Sequence, residues 1–350
     1  MQGYLNAGMI RRMNAASRPF GKLADGSEVQ LLALGSADGL QAEVLTLGGI
    51  LHSLTLPVNG RRIPLVVSLP DVASYLGDRS FIGQLVGRFS NRIGGAAFEL
   101  DGRRFTLSAN HGVNTLHGGA AGFGRQLWRV VEAGGGGRCF VKLALRSPDG
   151  SNGFPGNLDV VALISIEGNT LTLAWQATSD APTPVSLTWH PYFNLAGDPA
   201  HTVEDHTLRM AATRYLPVSA ALIPTGEMAA VAGTPFDFRE ARTLHLPPPE
   251  SHPQIGLIGG FDHCWVLEPD ARVAAELHSP FSGVRMQLAT DLPGLQFYGG
   301  YHLPTEHPGL HGICLEPEHL PDAPNQPAFP DCMLRPGQVH RSSMSFTFFT

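Results

Sequence analysis

The stretch VVALISIEGNTLTLAWQAT, residues 160–178, decides the fold class because apolar and polar side chains alternate on both sides of one turn. Alternation with a period of two is typical of a strand that is buried on one face only. The intervening EGNT, residues 167–170, supplies the glycine and asparagine that tight turns require. The stretch therefore predicts an antiparallel hairpin.

The same alternation recurs along the chain, and the largest further examples are EVQLLAL (28–34), AEVLTLGG (42–49), ILHSLTLPV (50–58), AAFELDG (96–102), RRFTLSAN (103–110), CFVKLALRS (139–147), VRMQLATD (284–291) and SMSFTFF (343–349). Helical periodicity is limited to PDVASYL (70–76), and HLPPPESHPQIG (245–256) predicts a long surface loop. We predict an all-β protein, a large antiparallel β-sandwich of well over a dozen strands. No linker divides the chain, so we expect residues 1–18 to be a flexible N-terminal extension, with Met9 or Met13 as alternative starts, and residues 19–350 to form a single domain.

Composition limits the classes of partner. Of the 350 residues, 43% are hydrophobic and 15% are charged, which allows a large buried core. A net charge of -6 argues against a nucleic acid or an anionic membrane as partner. No apolar run reaches the ~18 residues needed to span a bilayer. Four widely spaced cysteines without a CxxC motif favour reduced thiols, so we expect a cytoplasmic protein. We also expect a monomer or homodimer whose partner is a small molecule.

Polar side chains interrupt the pattern at the predicted ends of strands. The motifs are GRFSNRIGG, NTLHGG, TWHPYFNLAG, GGFDHCWVL, DLPGLQFYGG and GICLEPEHL, which contain Arg88, Asn91, Arg92, His117, His190, Asp262, His263, Gln296, Glu316 and Glu318. Taken alone, each of these residues is as typical of a turn cap or a hydrogen-bonded structural group as of a functional site. Because Pro191 cannot donate a ladder hydrogen bond, the strand must end at His190, at the rim of a sheet. Taken together, the residue types suit a neutral ligand with many hydroxyl groups.

Several neighbouring residues carry separate expectations. Trp189 and Tyr192 are candidates for an aromatic wall against a sugar ring, whereas Phe193 is expected in the core. Glu318 is expected to be the exposed neighbour of Glu316. The histidines of HLPTEHPGLH, which are His302, His307 and His311, fit no metal-ligand spacing, so no metal site is expected.

In the order of these motifs the chain resembles the aldose 1-epimerase (galactose mutarotase) family, from about FGKLADG near residue 20 to LRPGQVHRSSMSFTF at the C-terminal end. The carriers are GRFSNRI, NTLHGG, SPDGSNGFPGNL, TWHPYFNLAG, FDHCWVL, PGLQFYGG and CLEPEHLPDAPNQPAFP. The family fold is a large antiparallel β-supersandwich, in agreement with the strand pattern. The resemblance implies interconversion of the α and β anomers of free aldohexoses such as galactose and glucose, with no cofactor.

The resemblance also implies a role for each matching position. Glu316 matches the general base and His190 the general acid. His117 matches the histidine that holds and polarises sugar oxygens. The family's remaining substrate-binding positions fall on Asn91, Arg92, Asp262 and Gln296.

The sequence departs from the family pattern near both proton-transfer groups. Trp189 stands where asparagine is usual, and Pro191 follows the histidine. Pro317-Glu318 stands where Thr-Gln is frequent, and Ser90 replaces a usual alanine. A second carboxylate beside Glu316 would raise the pKa of the base by repulsion between like charges.

Three alternatives stay open from the sequence. A glycoside hydrolase would use two carboxylates, and Asp262 with Glu316 are the candidates. An epimerase acting on a sugar phosphate needs extra cations, for which Arg88 and Arg125 are available. A non-catalytic sugar-binding protein would normally lack the acid or the base, and this chain has candidates for both.

Overall fold

A computed structural model of the chain describes residues 14–303 and 311–350. The described residues form 28 strands and two short α-helices, and some 3₁₀ turns. The first strands are β1 Asn14–Lys22, β2 Glu28–Gly35, β3 Gln41–Leu45, β4 Leu51–Val58, β5 Arg61–Pro64, β6 Leu85–Val86, β7 Arg92–Ile93, β8 Ala97–Leu100, β9 Arg103–Thr106, β10 Thr115–Leu116, β11 Arg129–Gly134, β12 Cys139–Ser147, β13 Leu158–Glu167 and β14 Thr170–Ser179. The others are β15 Thr183–Pro184, β16 Thr188–Trp189, β17 Tyr192–Phe193, β18 Thr207–Met210, β19 Ala212–Tyr215, β20 Ala229–Ala230, β21 Arg242–Thr243, β22 Asp262–Leu267, β23 Ala275–His278, β24 Arg285–Thr290, β25 Gly294–Tyr298, β26 Ile313–Glu318, β27 Met333–Leu334 and β28 His340–Phe349. The helices are α1 Val72–Gly77 and α2 Pro253–Ile258.

The hairpin predicted from residues 160–178 is present as β13 and β14. Its two-residue loop begins at Gly168, whose φ of 57° suits the first loop position of a tight type II′ connection. Every second residue of both strands is buried over most of their length, as the alternation predicts. The all-β prediction is therefore confirmed at the segment on which it rests.

Three large antiparallel sheets organise the molecule. The nine-stranded sheet has the order β11-β12-β13-β14-β28-β24-β23-β18-β21, the six-stranded sheet β17-β26-β25-β22-β19-β20, and the five-stranded sheet β1-β2-β3-β4-β5. Strand β2 packs against β12 and β13. One continuous apolar core contains side chains from all three sheets, for example Val44, Ile164 and Leu315. The shared core fixes the six-stranded sheet, whose strands carry much of the site.

Two local predictions from the sequence are corrected. Residues 14–18, expected in a flexible extension, belong to β1 and pair with β2, with Arg18 opposite Leu31. Residues 1–13 lie outside the described part of the chain. The expected loop 245–256 contains a 3₁₀ turn and the start of α2. Helix α2 forms because the His252 side chain accepts a hydrogen bond from the Gln254 N–H and Pro253 occupies the first helical position.

The short helix predicted from the sequence is present. The helical pattern at 70–76 corresponds to α1, which Asp71 caps by accepting from the Ser74 N–H. None of the helices in the described residues has the length and apolar character needed to cross a membrane.

Candidate active site

The proposed base and acid approach each other across the end of a sheet. Glu316 lies in β26, between β17 and β25. His190 lies between β16 and β17, where Pro191 interrupts the pairing as the sequence predicts. Glu316 Oε1 is 3.6 Å from His190 Nε2, and both side chains are at least 95% buried. The two side chains to which the resemblance assigns proton transfer therefore lie at one location.

Opposite this pair lies a connected group of polar side chains. Gln296 pairs directly across from Glu316 on β25, so the two side chains share a face of the sheet. Gln296 Nε2 donates to Asp262 Oδ1 at 2.6 Å. Arg92 Nη2 lies 3.6 Å from Asp262 Oδ2, and Arg92 Nη1 donates to Asn91 Oδ1 at 3.3 Å. These contacts hold donors and acceptors in fixed positions, as recognition of a polyhydroxyl ligand requires.

His117 has a defined tautomer. Its Nδ1 accepts a hydrogen bond from the Asn91 backbone N–H at 3.1 Å, so in the neutral ring the proton is on Nε2. The backbone supports this contact, since the His117 N–H donates to the Asn91 carbonyl at 2.9 Å. Both residues have positive φ, 50° for His117 and 57° for Asn91. Conformations of this kind are sparsely populated by side-chain-bearing residues and often occur at functional sites.

All seven site residues predicted from the sequence line one cavity of about 460 Å³. They are Asn91, Arg92, His117, His190, Asp262, Gln296 and Glu316. The sequence reasoning assigned no role to several further lining residues, which include Arg79, Phe81, His111, Leu222, Leu257, Tyr298 and Tyr301. The volume is in the range of small-molecule sites, and the lining combines aromatic rings with hydrogen-bonding groups.

Phe81 is the most informative of the residues that sequence reasoning missed. Its ring centroid is 4.6 Å from that of His117 and 6.0 Å from that of His190. Its φ of 56° is unusual for a bulky residue. No pattern in the local sequence announces this contact, because Phe81 precedes the GRFSNRI motif in an irregular segment. Phe81 therefore packs against both histidines, whose ring centroids are 5.2 Å apart.

Burial shifts the proton affinities of the central pair in opposite directions. Burial lowers the pKa of His190 to about 4. Burial raises the pKa of Glu316 well above its usual value, and the negative charges of Glu318 and Asp262 raise it further. Burial also holds the pKa of His117 well below its usual value, with added repulsion from His190 and Arg92. Strongly shifted groups in a cleft are typical of acid–base sites.

His117, His190 and Glu316 each place one oxygen or nitrogen within 4.8 Å of the others, a cluster that raises the question of a metal. A metal needs an unprotonated nitrogen, whereas the Nδ1 of His117 is occupied by the Asn91 N–H and Nε2 carries the proton. We therefore assign the three groups to hydrogen bonding and proton transfer. Of the other histidines considered, His302 lines the cavity, His311 Nδ1 contacts the Pro199 carbonyl, and His307 lies outside the described residues.

Two expectations near the site are wrong, and two are confirmed. Trp189 does not line the cavity: its ring is buried in the core, and its Nε1 donates to the Gly49 carbonyl at 3.0 Å. Glu318 is fully buried instead of exposed, because β26 is an interior strand. Tyr192 does line the cavity. Phe193 packs in the core, with its ring 5.2 Å from Phe346.

Both arginines proposed for a phosphate have other partners. Arg88 is buried and donates to the main-chain carbonyls of residues 147, 148, 155 and 156. Arg125 donates to the carbonyls of Leu76 and Asp78. Neither lines the cavity. The argument from the sequence for a sugar-phosphate site therefore loses its two cations.

Fold and site together define the class of protein: an all-β protein with a buried histidine–glutamate pair at a polar cavity. The aldose 1-epimerase family model matches residues 30–347. Galactose mutarotase of Homo sapiens is 36% identical over 343 residues, which cover 94% of this chain and 97% of that protein. Aldose 1-epimerase of Escherichia coli is 35% identical over 338 residues, with 93% and 96% of the two chains covered.

Solved structures agree with this match. Galactose 1-epimerase of Lactobacillus acidophilus superposes with a TM-score of 0.84 and 29% identity, covering 96% of this chain and 99% of that one. An aldose epimerase homologue from C. elegans gives 0.80 and 29%, with 89% and 96% covered. The chain belongs to the aldose 1-epimerase family. It is a carbohydrate epimerase with mutarotase activity.

Proposed function

We propose that this mutarotase acts on free aldohexoses such as galactose and glucose, with Glu316 as general base and His190 as general acid. The observation that carries the proposal is the 3.6 Å approach of Glu316 Oε1 to His190 Nε2 at the cavity. A sugar that binds there would have its C1 hydroxyl and ring oxygen within reach of two proton-transfer groups. Positioned groups of this kind each accelerate a reaction by roughly 10²–10⁴-fold.

The reaction needs one mobile proton on the pair. Glu316 takes the proton of the C1 hydroxyl while His190 gives a proton to the ring oxygen, and the bond between C1 and that oxygen breaks. The resulting aldehyde rotates about the C1–C2 bond. Ring closure reverses both transfers: His190 takes the C5 hydroxyl proton, and Glu316 returns its proton to the C1 oxygen. The enzyme ends in its starting protonation state.

The opposite pKa shifts support this assignment. A carboxylate whose pKa is raised is a stronger base, and an imidazolium whose pKa is lowered is a stronger acid. The pair has two forms that share one proton: a neutral form, with Glu316 protonated and His190 neutral, and an ionic form, with Glu316 charged and His190 protonated. One proton transfer between the adjacent groups interconverts them. Both forms therefore hold the proton that the reaction uses.

The remaining polar side chains would bind and orient the sugar. The Nε2–H of His117 is free to donate to a sugar oxygen, because Nδ1 is already an acceptor. Asp262 is an acceptor for hydroxyl groups, held by Arg92 and Gln296. Asn91 fixes the Arg92 guanidinium. The same contacts disfavour a hydrolase assignment for Asp262, which is tied to a cation and an amide rather than set apart as a protonated acid.

The setting of the enzyme is proposed from coarser support. We propose that the chain from β1 onwards, residues 14–350, acts as one domain, since β1 pairs with β2 and the family match runs through 30–347. We also propose a cytoplasmic monomer or homodimer that takes a small aldose and uses no cofactor. Gel filtration of the purified protein tests the oligomeric state.

Polarimetry tests the proposed substrates. Freshly dissolved α-D-galactose and α-D-glucose should approach their equilibrium rotation much faster with the wild-type protein than in buffer. Galactose 6-phosphate serves as the comparison substrate. Its rate with the protein, after subtraction of its rate in buffer, should be lower than the corresponding rate for galactose. A rate equal to that of buffer for both free sugars would overturn the choice of aldohexoses.

A further inference from the structure

Glu318 is a buried carboxyl group that the mechanism above does not use. Its side chain is fully inaccessible, and Oε1 accepts a hydrogen bond from Asn91 Nδ2 at 3.0 Å. Its Oε2 has no hydrogen-bond partner among the described residues. Glu318 does not line the cavity, whereas Glu316 does. Burial raises the pKa of Glu318 to about 8, because burying a charge is costly, so the side chain is neutral at neutral pH and becomes charged only at alkaline pH.

Glu318 and Glu316 lie on the same strand and face. They are two residues apart in β26, so their side chains project from the same side of the sheet, with Cα atoms roughly 7 Å apart. Their strand partners are Gly294 and Gln296. Because Gly294 has no side chain, it places no group between Glu318 and the neighbouring strand. The charged and titratable groups that face the two carboxyls from the surrounding elements are Arg92, His117, His190, Tyr192, Asp262, Cys264 and Cys314.

Two adjacent buried carboxyl groups resist losing both protons. Burial raises the pKa of each, and the Glu318 charge raises the pKa of Glu316 further. Arg92 is the cation that opposes this effect, and Asp262 adds to the repulsion. Coupled groups of this kind titrate as a pair rather than independently.

We propose that Glu318 is a positioning residue of the acid–base site, which keeps the mobile proton on Glu316 and His190 and thereby extends activity to alkaline pH. The inference rests on the proposed function, because it needs the reacting pair to hold one proton. Glu318 acts through Glu316 and touches no substrate. Asn91 joins it to the Arg92 side of the cavity.

The variant Glu318→Gln isolates the charge. Glutamine has the same shape, and its Oε1 can still accept from Asn91 Nδ2. The matched control is Glu276→Gln, which removes one carboxylate from β23 in the nine-stranded sheet, where Glu276 accepts from Gln287. Thermal melting of both variants establishes that they are folded.

The test is the pH profile of kcat/KM for galactose mutarotation. We expect the alkaline limb of Glu318→Gln to lie about one pH unit or more below that of the wild type, which is a loss of about tenfold on that limb. The Glu276→Gln profile should superpose on the wild type. Superposition of the Glu318→Gln profile on the wild type would overturn the proposal.

A second measurement does not depend on activity. Infrared difference spectra from pH 6 to pH 9 should show that the wild type keeps a protonated carboxyl band above the pH at which Glu318→Gln loses it. Equal titration of that band in both proteins would contradict the inference. If the wild type fails to accelerate mutarotation, the proposed function fails, and the infrared result still decides whether Glu318 helps Glu316 to retain its proton.

Discussion

At the scale of single residues, the site depends on which of the two ring nitrogens of a histidine carries the proton. His117 shows this clearly, because one backbone N–H fixes its tautomer and leaves Nε2 as the donor nitrogen of a ring that lines the cavity. The spacing of NTLHGG identified the residue, but the tautomer depends on Asn91, which is 26 positions away. Sequence motifs name the reacting side chains; their protonation depends on contacts that only the fold supplies.

Removing the His117 ring should slow the reaction without unfolding the protein. We expect His117→Ala to lower kcat by about 10²-fold, since one preorganised donor to a developing charge is typically worth this much or more. His278→Ala, in β23 of the nine-stranded sheet, serves as the control and should retain wild-type kcat. Polarimetric rates at saturating galactose measure the effect. A His117→Ala enzyme with unchanged kcat would remove His117 from the stabilising groups.

At the scale of elements, irregular segments placed by regular strands form much of the cavity. The alternating runs predicted the long strands, for example β13 and β14, because a half-buried strand leaves a two-residue period in the sequence. The sequence did not predict α2. Helix α2 begins in the proline-rich stretch HLPPPESHP, which is typical of a loop, and its cap at His252 is an unusual residue for that role. Glu318 was misjudged because burial of a strand end depends on its neighbours in the sheet.

Helix α2 contributes Leu257 and Ile258 to the cavity, and Gln254 anchors it. Gln254 Oε1 accepts from the Val218 N–H at 2.7 Å, and Nε2 donates to the Val218 carbonyl at 3.0 Å. Its Oε1 is also 3.1 Å from His263 Nε2, next to Asp262.

Loss of this anchor should weaken sugar binding more than catalysis. We expect Gln254→Ala to raise KM for galactose by about three- to tenfold, the equivalent of one net hydrogen bond, with kcat within about twofold of wild type. Initial rates across a range of galactose concentrations separate the two constants. A fall in kcat at constant KM would show that α2 acts on the chemical step instead.

At the scale of the whole molecule, stability depends on the buried titratable groups. Burial lowers the pKa of His190, His263 and His319 to about 4. Below pH ~6.5 these histidines are protonated in the unfolded chain but remain neutral in the folded state. The free energy of unfolding therefore decreases as the pH falls towards 4. Glu316 and Glu318 have raised pKa values, so above pH ~4.3 the folded state holds protons that the unfolded chain has lost. Their contribution to the free energy of unfolding therefore decreases as the pH rises from ~4.3 to their folded-state pKa values.

The two trends together predict a stability maximum near pH ~6.5. Below that pH the buried histidines outnumber the two carboxyl groups, and above it the carboxyl groups set the slope until, near pH ~8.5, the buried cysteines with raised pKa values add to the loss of stability. Each group contributes up to about 1.36 kcal/mol per pH unit to the free energy of unfolding. Thermal melts at constant ionic strength from pH 4.5 to pH 9 measure the curve. A melting temperature that rises steadily across this range would contradict the assignment of buried, neutral groups.

The central assignment is the proton-transfer pair, and polarimetry of Glu316→Gln and His190→Asn beside the wild type tests it. Glu316→Gln keeps the shape of the side chain, His190→Asn replaces the ring with a smaller polar group, and circular dichroism verifies that both variants fold. We expect each to lose at least about 10²-fold in the rate of galactose mutarotation, because each removes one positioned acid or base. Wild-type rates in either folded variant would contradict the roles given to Glu316 and His190.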